Sequence, residues 1–391
     1  MDQKELKNKS SFRLWIHVSS MGEFEQIKPV IEQIKTEKPE ICILVSFFSP
    51  SGFETQKNYK NADYKLYLPI DSKRNIRYFL DKVQPDFAIF VRYELWLNTL
   101  SELNIRNIPL WLICATIPGK NGKIPTILNF YYKRVFNLFN NIFTTSEEHT
   151  KYFKALPVLH VETGFDTRYD RILQKVDQAR TEPIINKGYY PDGTVVIVLG
   201  SSWEPDESLA IEAWNNLDNK LQQKIKFIFV PHEPTISHIL SLQSKLDSAF
   251  TLSQYLASEA SIQKLILKES HLIVDSIGHL LKLYAIADGA YIGGAFGAGI
   301  HSVAEPAGYG IPLACGKDYY NSTDAIHFER ISALRAISND NEFKQWMIDV
   351  LENDPETIDN AKLAAVVIKN GKGYAKYIAH LFLQEISKNL V

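Results

Sequence analysis

Cysteine is scarce in this sequence. Its three thiols, Cys42, Cys114 and Cys315, sit far apart in apolar segments, which excludes a disulfide framework or a clustered metal site and points to buried thiols in a reducing compartment. Long hydrophobic runs are also missing: none approaches the roughly 20 apolar residues of a membrane-crossing helix. The opening "MDQKELKNKSS" lacks the hydrophobic core of a secretion signal, so the chain is expected in the cytoplasm. A net charge of only −2 gives no bulk attraction for nucleic acid. There is no low-complexity tract and no short solenoid period. No strand is followed by a clean G-x-G-x-x-G with an acidic residue ~20 positions on, which disfavours a dinucleotide oxidoreductase.

What is present is a soluble globular composition, 45% hydrophobic and 23% charged over 391 residues, too long for one ordinary core and suited to two domains. In the first half, short apolar runs ("FRLWIHVSS", "ICILVSFF", "DFAIFVRYE", "IPLWLICAT") alternate with helical patterns such as "EFEQIKPVIEQIKTEK". That alternation implies a parallel sheet covered on both faces. A polar stretch with Pro183, Gly188, Pro191 and Gly193 interrupts it, and the alternation restarts at "TVVIVLGSSWEPDESLAIEAWNNL". The expected organisation is α/β: two Rossmann-like, doubly wound domains, 1–178 and 179–391, facing a central cleft at the carboxyl ends of their strands. The last helix is free to pack back on the first domain. The aromatic run "TILNFYYKRVFNLFNNIF", interleaved with Lys133 and Arg134, reads either as a buried amphipathic helix or as a surface helix at an anionic membrane interface.

Several strand exits carry polar side chains. In "WIHVSSMGEFEQIKPVIEQI" Gly22 permits a tight turn, and Glu23 is either a helix-terminus carboxylate or a base facing the cleft. "VRYELWLN" adds Glu94, read as a second carboxylate on that rim or as the partner of Arg92 or Arg77. "LGSSWEPDE" offers Ser201 and Ser202, as phosphate ligands or as a Ser-x-x-Glu cap. "VPHEP" sets His232 at a rigid exit. "YIGGAFGAGIHSVAEPAGYGIP" is a glycine-rich loop before a helix expected to begin near His301 and Ser302. Its amides and helix start suit a phosphate, and Glu305, one turn on, suits a ribose; a plain glycine turn with a dipole-complementing Glu explains the same residues.

Taken in order and spacing, "HVSSMGEFEQIKPVI", "SFFSPSGFE", "LPIDSKRNIRYFL", "VRYELWLN", "ETGFDTRYDR", "LGSSWEPDE", "VPHEP" and "ADGAYIGGAFGAGIHSVAEPAGYGIP" resemble the 3-deoxy-D-manno-octulosonic acid (Kdo) transferases of lipid A assembly, inverting glycosyltransferases of the GT-B type. The resemblance implies a CMP-Kdo donor held mostly by the second domain, where Ser201, Ser202, His232, Gly299, His301, Ser302 and Glu305 are the donor-binding candidates. It implies a lipid A precursor, lipid IVA, as acceptor on the first domain, with Gly22, Ser49 and Ser51 as substrate-binding candidates. It implies Glu23 as general base and peripheral residence on the cytoplasmic face of the inner membrane; Glu94 is the candidate second catalytic carboxylate, and no metal or cofactor is expected. Three departures stand out. The family usually has a hydrophobic N-terminal segment where about ten polar residues stand here, so a truncated chain and docking by surface patches both stay open. "IPGKNGKIP" replaces an Asn-Ala-Arg segment, and His232 and Ser302 stand where Arg and Asn are usual. Another GT-B glycosyltransferase, a nucleotide-sugar epimerase and a non-catalytic sugar-nucleotide binder are the alternatives.

Overall fold

The structure is a computed structural model, describing residues 12–56, 58–117, 126–156, 158 and 160–389. It divides into two compact units, Met1–Arg171 with Gly371–Val391, and Ile172–Asn370.

The first unit is built on seven parallel strands: β1 (Arg13–Val18), β2 (Cys42–Phe47), β3 (Tyr64–Tyr67), β4 (Phe87–Val91), β5 (Leu110–Ala115), β6 (Asn141–Thr144) and β7 (His160–Thr163). Their order is β3-β2-β1-β4-β5-β6-β7. "CILVSF", "FAIFV" and "LWLICA" are buried at every position, as expected for strands covered on both faces. Alternation along β1 divides two cores. Leu14, Ile16 and Val18 face the Met21–Glu37 helix, whose Phe24, Ile27, Val30, Ile31 and Ile34 form its apolar stripe. Trp15 faces Leu80, Leu100 and Phe136 on the other side. The final helix, Tyr374–Asn389, joins the first of these cores through Ile378 and Phe382.

The second unit repeats the plan with β8 (Val195–Ser202), β9 (Ile225–Pro231), β10 (Ala249–Thr251), β11 (His271–Ile273), β12 (Gly289–Ile292), β13 (Leu313–Gly316) and β14 (Arg335–Ile337). The order is β10-β11-β9-β8-β12-β13-β14, again parallel. Its core packs Ile197, Leu199, Phe227 and Phe229 on Tyr291, Phe343 and Trp346.

The chain passes between units at Arg171/Ile172, inside the Arg168–Thr181 helix and seven residues before the expected 178/179 boundary. The Pro- and Gly-marked stretch after it is no linker. Ile185 and Tyr190 are buried in the second unit, and Lys187, in a single 3-10 turn, pairs with Asp288 at 2.6 Å.

Candidate active site

In a doubly wound sheet, ligand sites form at the carboxyl ends of strands where the order reverses, because the two crossovers there leave for opposite faces. In the first unit this point lies between β1 and β4, and in the second between β8 and β12. Each singled-out stretch follows one of these strands or a neighbour.

The chain leaves β1 at Ser19, and Ser20 caps the Met21–Glu37 helix by accepting the Glu23 N–H at 3.4 Å. The Glu23 carboxylate accepts the Ser19 N–H at 2.5 Å. This reciprocal arrangement is what a helix-terminus carboxylate does, yet Glu23 is only 3% exposed. Burial and the neighbouring Glu94 charge push it up to about 7, against the smaller opposing pull of Arg92 and the Ser19 and Ser20 N–H groups. A helix dipole alone moves a carboxylate down. Environment therefore dominates, and leaves a group that exchanges a proton near neutrality.

Glu94 is reached from β4 through Arg92, which takes a left-handed backbone (φ 69) that a long side chain adopts only under constraint. Burial alone would raise Glu94, but His17, then hydrogen bonds from Ser19 and Trp96, outweigh it and hold the group below its ordinary value. The Trp96 indole N–H donates to Glu94 Oε2 at 2.5 Å, and His17 Nε2 lies 3.4 Å from the same oxygen. The salt-bridge reading of Glu94 fails at Arg77, whose Nε donates to Glu102 at 2.9 Å. Arg92 Nε is buried without a hydrogen-bond partner among the described residues. Two adjacent carboxyl groups with opposite shifts form the kind of pair that divides acid and base roles.

Ser49 lies beside this pair, its N–H bonded to the Ser19 carbonyl at 2.9 Å. Ser51 lies in the Pro50–Thr55 helix, its side chain outside the described residues. Gly22 corrects one expectation: it is exposed, in the first turn of the helix, and an added Cβ would come no nearer than 3.9 Å to Ser20 Oγ. The turn is made by Ser20, and no steric need for glycine exists.

In the second unit Ser201 has φ 51, and the Ser202 hydroxyl, fully buried, donates to Glu207 at 2.8 Å. Ser202 thus braces the strand exit instead of facing a ligand, and it is not the cap. The cap is Trp203, whose N–H donates to Asp206 at 2.9 Å. Asp206 also accepts from Tyr291 Oη at 3.0 Å and Gly294 N at 2.9 Å, tying the glycine loop to the start of the Glu204–Asn215 helix. Gly293 is required here, since a Cβ would stand 2.5 Å from the Ser201 carbonyl oxygen. Gly294, Gly297 and Gly299 all have positive φ. The expected helix at His301–Ser302 is a single turn, Ala304–Ala307, starting three residues later with Glu305 in that turn. Too short for a developed dipole, it leaves the loop geometry as the main feature.

His232 leaves β9 with its N–H on the Ser202 carbonyl at 2.9 Å. Its ring is stacked at 4.9 Å on Trp203 and at 4.3 Å on His301. The Trp203 indole N–H donates to His301 Nε2 at 3.3 Å. Burial, then His232, push His301 down to about 4, so near pH 7 it offers a neutral ring. Three strand exits thus converge on one aromatic cluster.

His17, Ser19, Trp203 and Asp206 escaped the sequence reading. A two-residue spacing puts His17 on the same face of β1 as Trp15, and Trp203 stands three residues before Asp206; both spacings were visible, but neither reads as more than core or cap.

Paired doubly wound units of this kind are the GT-B architecture of sugar-nucleotide enzymes. The fold resembles a UDP-GlcNAc 2-epimerase from Neisseria meningitidis bound to UDP-GlcNAc (TM-score 0.62, 14% identity, 95% of this chain and 100% of that one). It also resembles a glycosyltransferase from Rickettsia africae (TM-score 0.56, 13% identity, 98% and 100%). These likenesses concern the fold alone. By sequence, the family model described as 3-deoxy-D-manno-octulosonic-acid transferase (kdotransferase) matches residues 2–171. The 3-deoxy-D-manno-octulosonic acid transferase of Haemophilus influenzae is 24% identical over 96% of this chain and 88% of its own length. The enzyme of that name from Chlamydophila psittaci is 26% identical over 82% and 73%. By sequence the chain is therefore similar to Kdo transferases, which are glycosyltransferases.

Proposed function

We propose that this enzyme transfers Kdo from CMP-Kdo to a sugar hydroxyl of a lipid A precursor, lipid IVA, with inversion at the anomeric carbon, on the cytoplasmic face of the inner membrane. The observation that carries the reading is Glu23, a buried carboxyl raised to about 7 beside an ionised neighbour. A sugar hydroxyl is too weak an acid to attack unaided. Glu23 takes its proton as the new C–O bond forms, and the bond to the CMP phosphate breaks with the electron pair leaving on phosphate. One displacement inverts the centre.

Donor recognition is assigned to the second unit. The positive-φ glycines let backbone amides approach the phosphate, Glu305 accepts from the ribose hydroxyls, and Ser201, Gly299 and Ser302 line the same loops. The cluster of Trp203, His232 and His301 offers flat faces, with a neutral His301 contributing a ring N–H. Gly22 and Ser49 lie next to Glu23 on the acceptor side, and Ser51 follows them in the chain.

Incubation with CMP-Kdo and lipid IVA tests the reading. Released CMP, an acceptor heavier by whole Kdo residues and an anomeric configuration opposite to the donor's are expected. An acceptor of unchanged mass, or retained configuration, contradicts it; a nucleotide sugar altered without an acceptor would indicate epimerisation instead.

A further inference from the structure

His17 is completely buried, inside a strand whose other side chains form core. Its ring lies 5.2 Å from Phe90 and 6.2 Å from Trp96. Both ring nitrogens nevertheless meet polar atoms. Nδ1 is 2.8 Å from Ser46 Oγ, and Nε2 is 3.4 Å from Glu94 Oε2.

Ser46, also fully buried, accepts the Trp15 indole N–H at 2.9 Å. An indole can only donate, so one lone pair of Ser46 is committed and its O–H remains to be placed. Directed at His17 Nδ1, that O–H satisfies both atoms and leaves the ring hydrogen on Nε2, which lies 3.4 Å from Glu94 Oε2 without the alignment of a hydrogen bond. The opposite tautomer strands the Ser46 proton and turns a lone pair on a carboxylate, two penalties in a dry site. Ser19 joins the two carboxyl groups, with its N–H on Glu23 and its side chain on Glu94.

We propose that His17, locked in the Nε2–H tautomer by Trp15 and Ser46, is a positioning residue that fixes Glu94 beside Glu23 and reserves for Glu23 the proton of the incoming hydroxyl. The inference rests on Glu23 being the base. The charged and titratable groups facing the pair are His17 and Arg92. With the His17 donor gone, Glu94 holds a proton more tightly, the pair shares it, and both carboxylates are free only at higher pH.

Two side-chain amides separate the roles of the ring nitrogens. In His17→Gln the N–H reaches the former Nε2 position, and in His17→Asn only the Nδ1 position. The expected result is that Gln keeps kcat within about threefold of wild type, while Asn lowers it about 10–100-fold with KM little changed, the scale of a misplaced reacting group. The acid limb of the Asn variant should also move up by about half a pH unit or more. Equal losses in both variants with an unmoved limb would overturn the proposal. The tautomer is checked without any variant: 15N spectra of histidine-labelled wild type should show a protonated Nε2 and a bare Nδ1 for His17, and the reverse assignment would overturn it too. Near-wild-type turnover in Glu23→Gln removes the base reading itself; an inactive Glu23→Gln with an unmoved His17→Asn limb removes only the role of His17.

Discussion

A carboxylate in the first turn of a helix ordinarily gains from the dipole and titrates low, whereas Glu23 is raised to about 7 by burial and by Glu94. The shift has a stability consequence with a definite sign. A carboxyl raised in the folded state binds a proton that the unfolded chain has already lost, so its contribution is complete below the ordinary 4.5 and is lost as pH rises through about 7. Glu23→Gln cannot ionise and escapes that loss. Thermal melts should show little difference from wild type at pH 5 and a variant more stable by about 1–3 kcal/mol at pH 8. A variant less stable at pH 8 would mean that the charge is stabilised where it lies. On the donor side, Glu305→Ala should weaken CMP binding by about 1–3 kcal/mol, the cost of a charged hydrogen bond, and unchanged calorimetric affinity would remove Glu305 from the site. At this scale Glu23 was legible, because an ionisable residue at a Gly-marked strand exit stands out from packing needs. His17 was not: one histidine in an apolar strand looks like core until Ser46, 29 residues away, and Glu94 are placed around it.

Elements were more legible than their ends. The alternation of apolar runs and helical stripes foretold both parallel sheets, because strands buried on both faces cannot be written otherwise. Two features depended on long-range packing. The Pro- and Gly-rich stretch near 183–193 interrupts the alternation, yet its buried Ile185 and Tyr190 pack into the second unit. The "SVAEPAGYG" pattern shrank to one turn, where the loop is held instead by Asp206 and by its own amides, Gly299 N on Gly294 O at 2.8 Å. The final helix is attached by specific rings: Phe382 is fully buried and lies edge-on to Phe87 at 5.1 Å. Phe382→Ala should therefore destabilise the first unit by about 3–5 kcal/mol in denaturant melts. A loss under about 1 kcal/mol would show that the helix is a loose appendage.

For the molecule as a whole, the lipid-linked acceptor proposed above would require a membrane surface, and no described helix is long and apolar enough to cross one. The Thr126–Phe136 helix resolves part of the choice left by its sequence. Val135 and Phe136 are buried, while Phe130, 77% exposed, stands on the surface with Lys133 and Arg134. Lys120 and Lys123, which precede this helix in the chain, lie outside the described residues. Sedimentation with vesicles should show binding that requires anionic lipid and falls with salt, each nearby cation contributing about 1 kcal/mol; binding indifferent to both would assign the patch another role. The most direct measurement of the central claim is the initial rate of Kdo transfer by Glu23→Gln, taken on the same preparation as its CMP affinity and melting temperature. The variant keeps its size and most hydrogen-bonding capacity but cannot accept the proton. The rate should fall roughly 10²–10⁴-fold with CMP affinity and fold intact, and turnover near that of wild type would contradict the mechanism.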